Sequence, residues 1–216
     1  MGGGGDSRIP RLLQERFEGT DLRCIVRTYD FDPEIGHRQI ASWVEELRPD
    51  LLIGESLGAI QTLRVRASVI PSDAKESRIP KLFVSPALGA PDRLVKLARL
   101  CRIPGGKALL HHIWRVKEGD RQPLRFEYDI MKKYAAHWAD AQKAAKEGGY
   151  FFAFFGTQDH YMKSKVVNVS LWEEMFGKTY TLYEGSHFME EEYVYSLLIP
   201  KIREVLDGAM DVLPRE

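Results

Sequence analysis

The chain has 216 residues, 44% hydrophobic and 29% charged, with Lys plus Arg balancing Asp plus Glu for a formal charge of zero. That is room for one soluble domain with a full core. The neutral balance, without a basic run or stripe, argues against a dedicated nucleic-acid or anionic-membrane binder. Cys24 and Cys101, the two cysteines, stand in apolar surroundings outside any Cys-x-x-Cys pair, so they read as buried free thiols rather than zinc ligands. No apolar run is long enough to span a bilayer. No charged-then-apolar signal segment opens the sequence, and Asp6 stands where a myristoylation signal needs Ser or Thr. A cytoplasmic protein is therefore expected.

In chain order, the spacing of Leu12, Leu13 and Phe17 predicts a helix over 8–17, and "LRCIVRTYDF" predicts a strand over 22–31. Asp32 followed by Pro33 is a cap and first-turn proline, opening a helix over 33–47. A strand over 50–54 leads into a helix over 57–69, and "KLFVSP" predicts a strand at 81–86. Leu94, Leu97, Ala98 and Cys101 fall on one face of a helix over 91–101, and the longest helical stretch runs over 123–146. Strands follow at 150–156 and 179–183, and a helix over 191–206 closes the chain, with a break or kink expected at Pro200. Several of these strands are apolar on both faces, as strands between two helix layers are. Alternation of this kind gives an α/β fold, a mostly parallel sheet with helices on both sides and ligands at the carboxyl ends of its strands.

Three residues at such ends carry chemistry. Gly54-Glu55-Ser56-Leu57-Gly58 follows an apolar strand and opens a helix, the pattern of a nucleophile elbow. The serine needs a tight turn with strained backbone angles, and side chains two residues away on either side would collide with it. The Leu57 N–H is then placed to bind an oxyanion formed on attack. A serine needs a base; His187 follows the strand at 179–183 through a Gly185-Ser186 turn. The base needs an acid to fix its tautomer; Asp159 comes just after the apolar strand "YFFAFFG". The chain order is Ser, Asp, His.

"GESLGA", "LFVSPALGAPDRL", "FFGTQDHY" and "YEGSHFMEEEY" together resemble the α/β-hydrolase superfamily, in particular its small single-domain bacterial serine esterases and thioesterases. The resemblance covers nearly the whole chain. It implies the α/β-hydrolase fold, a single domain over 1–216 with 87–149 as a helical cap insertion, and Ser56, Asp159 and His187 as the triad. It implies hydrolysis of a small-molecule carboxylic ester or acyl thioester through an acyl-enzyme, with no organic cofactor or metal. A homodimer is possible.

The opening "GGGGDSRIPRL" reads as a linker, as a phosphate-cradling loop, or as the second arm of the oxyanion hole with Gly4 donating its N–H. The helical pattern that follows favours the last. In the resembled family a central strand precedes that loop; here only Met1 does, so that strand is expected to be missing or truncated. Within the cap, apolar residues such as Leu109 and Trp114, with Met162 beside Asp159, are expected to line an acyl pocket. His111, His112, His137 and His160 lack the spacing of a metal cluster. Peptide or C–C bond hydrolysis by the same triad, and a non-catalytic binding protein on this fold, are the alternatives.

Overall fold

The structure, a computed structural model, describes residues 2–66, 68–69, 77–116 and 118–210. Its strands are β1 (Leu52–Glu55), β2 (Ser68–Val69), β3 (Ser77–Arg78), β4 (Lys81–Val84), β5 (Phe151–Gly156) and β6 (Tyr180–Tyr183). Strands β1, β4, β5 and β6 make one four-stranded sheet in that order, with every pairing parallel. β2 and β3 pair separately as a short antiparallel ladder. The helices are α1 (Arg8–Phe17), α2 (Pro33–Leu47), α3 (Gly58–Arg64), α4 (Ala90–Leu97), α5 (Gly106–Ile113), α6 (Tyr128–Lys146), α7 (Val169–Phe176), α8 (Glu191–Tyr193) and α9 (Ile199–Met210). Among the described residues no helix is long and apolar enough to cross a membrane.

Successive strand residues point to opposite faces, and both faces are covered. Phe83, Ala153 and Phe155 join a cluster with Ile60 and Leu63 of α3, Ile130 and Tyr134 of α6 and Trp172 of α7. Their neighbours Leu82, Val84 and Phe154 join a second cluster with Ile9, Leu12, Leu13 and Phe17 of α1 and Ile199, Ile202 and Val205 of α9. This explains the strands' apolar character on both faces. Over residues 87–149, α4, a 3₁₀ turn (Ala98–Arg102) and α5 lead to α6, which packs against α2, α3 and α4.

The segment expected as a strand over 22–31 pairs with no strand among the described residues. Its exposure alternates as a strand's does, with Leu22, Cys24 and Val26 half-buried and Arg23, Ile25 and Arg27 exposed. Leu22 and Cys24 pack on the α1/α9 cluster beside Leu51 and Ile53. Several of its backbone groups are met by side chains instead: Gln14 Nε2 donates to Cys24 O (3.5 Å), Gln122 Nε2 to Tyr29 O (3.1 Å), and Asp30 N–H to Gln39 Oε1 (2.8 Å). Alternation reports a half-buried face; it does not report a hydrogen-bonded neighbour.

Other boundaries move for local reasons. α3 ends at Arg64, short of the expected 57–69; Ala67 lies outside the described residues. Lys81 Nζ, buried at the start of β4, donates to Leu63 O (3.4 Å) and Val65 O (2.6 Å) where α3 stops. α6 starts at Tyr128 rather than 123, because Gln122, Leu124 and Phe126 are buried at alternate positions, a run compatible only with an extended chain. Asp32 does cap α2: its Oδ1 accepts the N–H groups of Glu34 (3.0 Å) and Ile35 (3.5 Å), with Pro33 in the first turn. The break expected at Pro200 is absorbed instead by a π turn, Val194–Leu198, which joins α8 to α9. A wider turn before a proline relieves the clash of its ring with the preceding turn.

Candidate active site

β1 ends at Glu55 and α3 starts at Gly58, so the chain must reverse through two residues. Ser56 does this with φ at +51°, a left-handed angle that a side-chain-bearing residue rarely adopts. Its N–H donates to Val84 O (3.0 Å), and Ala87 N–H donates to Ser56 O (3.0 Å), which pins the turn to β4. A Cβ on Gly54 would stand 2.7 Å from Thr62 Oγ1 and 3.0 Å from Ala59 Cα, so only glycine lets α3 fold back this closely. A Cβ on Gly58 would meet the Tyr29 hydroxyl at 3.3 Å. Leu57 N–H has no hydrogen-bond partner among the described residues.

The loops after β5 and β6 interlock. Thr157 N–H donates to Tyr183 O (2.8 Å) and Gln158 N–H to Gly185 O (2.9 Å). A Cβ on Gly156 would lie 2.3 Å from Gly185 O and 2.4 Å from Ser186 O, so the close approach depends on glycine. Glu190 accepts the Ser186 N–H (3.0 Å) and holds the second loop from behind.

These loops bring Asp159 and His187 to the elbow. The Ser56 hydroxyl donates to His187 Nε2 (2.8 Å), and His187 Nδ1–H donates to Asp159 Oδ2 (2.7 Å). Both bonds fit the neutral imidazole with its proton on Nδ1, a tautomer inferred from the two partners. The other carboxylate oxygen, Asp159 Oδ1, accepts Tyr161 N–H (2.8 Å). Asp159 and His187 are 3% and 2% exposed, so their bond is shielded from water, while Ser56 stays half-buried and reachable. The rings of Tyr161 and Phe188 stand edge-on to the imidazole with centroids 4.6 and 5.0 Å away, limiting its swing.

Two titratable groups beside the elbow fall outside the sequence expectations. Burial raises the Glu55 carboxyl above its ordinary value, against the opposing pull of the His187 imidazole. Burial, helped by Glu55, pushes the Tyr29 phenol up to about 12. Glu55 lies inside the elbow motif but has no chemical signature there. Tyr29 carries no sequence signal, because its neighbours come from α2 and α3, and its place depends on how segment 22–31 lies.

Among the remaining expected site residues, Gly4 donates its N–H to Ser7 Oγ (3.0 Å), and a Cβ there would meet Asp120 O at 2.2 Å. Leu109 is half-exposed on α5. Trp114 packs on Phe126 with centroids 5.7 Å apart, and Met162 donates its N–H to Asp159 O (3.1 Å). Of His111, His112, His137 and His160, His137 is buried, with Nε2–H donating to Gln61 Oε1 (2.9 Å) and Arg64 donating to Nδ1. Among the described residues no three His, Cys, Asp or Glu side chains could hold a metal ion.

No protein-family model matches the chain, and no curated protein matches it. Among solved structures it is similar to one from the ammonia-oxidizing thaumarchaeon Nitrososphaera gargenis, described in work on that organism's carboxylesterases, at 14% identity and a TM-score of 0.46, over 84% of this chain and 74% of that one.

Proposed function

We propose that the protein is a serine hydrolase of the α/β-hydrolase superfamily that cleaves carboxylic esters or acyl thioesters. One observation carries this reading: the unbroken hydrogen-bond relay Ser56–His187–Asp159, with 2.8 and 2.7 Å links and the serine on a strained turn. In the first step His187 Nε2 takes the Ser56 proton, Oγ bonds to the acyl carbon, and the carbonyl electron pair moves onto oxygen. Asp159 holds the imidazole in its tautomer and stabilises the imidazolium. The oxyanion collapses, the C–O or C–S bond breaks, and the leaving group takes the proton from Nε2. Water, deprotonated by His187, then attacks the acyl-enzyme and releases the acid and Ser56.

The free Leu57 N–H supports its role as one oxyanion donor. The Gly4 N–H can serve as a second only if it leaves Ser7 Oγ. Leu109, Trp114 and Met162 are proposed as acyl contacts, and 87–149 as the segment that covers the serine. Ser56→Ala should abolish hydrolysis of p-nitrophenyl acetate and leave the circular dichroism spectrum unchanged. Undiminished turnover by that variant would remove the assignment. A panel of acyl chain lengths, offered as oxygen esters and as CoA thioesters, then separates esterase from thioesterase.

A further inference from the structure

Acyl transfer needs more than one donor on the developing oxyanion, and the Gly4 N–H is committed to Ser7. We propose that the hydroxyl of Tyr29 is a catalytic residue that donates the second hydrogen bond to the oxyanion, opposite Leu57 N–H. The inference rests on the hydrolase reading and adds a residue to it.

The placement comes from two glycines. The Tyr29 ring passes α2 where a Cβ on Gly36 would lie 2.9 Å from its Cδ2. Its hydroxyl ends 3.3 Å from where the Gly58 Cβ would be. In a helix the Cα–Cβ bond tilts toward the N-terminal end. An atom beside the Gly58 Cβ position therefore stands toward the elbow end of α3. The backbone of Tyr29 is anchored: Gln122 Nε2 donates to its carbonyl (3.1 Å), and Gln122 N–H donates to Gly3 O (2.9 Å). The hydroxyl takes part in no hydrogen bond among the described residues, although the ring is half-buried. A phenol fixed by its ring, with its O–H unspent at the elbow end of α3, is a preorganised donor. With its acidity suppressed by burial and by Glu55, it stays protonated over the working pH range.

Tyr29→Phe keeps the ring against Gly36 and removes only the donor. Its kcat on p-nitrophenyl acetate should fall about 100-fold with KM nearly unchanged, the size of losing one oxyanion-hole donor. A trifluoromethyl ketone, which adds to Ser56 as a hemiketal oxyanion, should lose affinity by a similar factor. Gly58→Ala, which crowds the hydroxyl without forcing the backbone, should lower kcat in the same direction by less; it decides the matter if Tyr29→Phe does not fold. Unchanged kcat and ketone affinity in both variants overturns the proposal, as does a rise in KM alone. A wild type that neither turns over esters nor is labelled at Ser56 overturns the hydrolase reading and this inference with it. An active wild type with an equally active Tyr29→Phe overturns this inference alone.

Discussion

In the proposed mechanism Asp159 Oδ2, by accepting the Nδ1–H of His187, decides which imidazole nitrogen is free to act as base. Replacing it by Asn keeps the shape and lets the amide donate to Nδ1, which moves the imidazole proton to Nε2 and blocks acceptance from Ser56. Asp159→Asn is expected to lower kcat by about 10⁴-fold with little change in melting temperature; a loss under tenfold would mean that the tautomer is held some other way. Gly156 has a comparable reach without touching the chemistry. Its absent side chain lets the carbonyls of Gly185 and Ser186 approach, so Gly156→Ala should push the His187 loop outward. That variant should lose both activity and thermal stability, and full activity would show that the loop shifts freely. Ser56, Asp159 and His187, which the fold joins in one hydrogen-bond relay, could each be picked out of the sequence, because each depends on local turn chemistry after an apolar strand. Tyr29 was not, since what positions it, Gly36 and Gly58, lies on helices brought together only by the fold.

Among the elements, α2 is the most completely specified by local sequence. Asp32 caps it and also accepts Lys133 Nζ from α6 (2.6 Å), so one carboxylate fixes a helix start and a helix pair. Burial opposes its ionisation, but Lys133 and the N–H groups of Glu34 and Ile35 outweigh that and hold its pKa below the ordinary value. A depressed carboxyl stabilises the fold above its unfolded pKa, near 4, and that stability is lost as pH falls through the lower folded value. Asp32→Ala should cost about 1–2 kcal/mol in urea denaturation at pH 7, and the gap to wild type should narrow as pH falls below the unfolded value. A gap independent of pH would mean that packing, and not charge, is lost. Segment 22–31 shows where element reading stops. Its β-branched alternation was plain, but whether a neighbour supplies a ladder is a property of the sheet, which among the described residues ends at β1. Lys81 is a second such case: a lysine opening a strand gave no sign that it would be buried against the end of α3, with burial pulling it down to about 8.

Over the whole molecule, two helix layers enclose a parallel sheet, and one layer carries a polar cluster within it. His37 of α2 and His137 of α6 face each other with ring centroids 5.9 Å apart, beside Gln61 and Arg64 of α3 and Asp140 of α6. Burial, then the Arg64 charge, lowers His37 to about 4 and His137 to about 3. Both are neutral in the fold at pH 7. The unfolded chain binds these protons from its ordinary histidine pKa downward, so folding stability is full above about pH 6.5 and falls as acid is added. The denaturation midpoint should therefore drop steadily between pH 6.5 and 4.5; a flat profile would contradict the burial of this pair. The layered architecture itself was legible, since strands apolar on both faces admit few other arrangements.

Under the proposed mechanism Ser56 alone is an activated hydroxyl. A fluorophosphonate probe reads this directly, because it bonds to a serine whose proton is taken by a neighbouring base. Mass spectrometry of the treated protein should find one adduct, on the peptide bearing Ser56, and none in His187→Ala. Absence of an adduct, or an adduct elsewhere with Ser56 unmodified, would contradict the account.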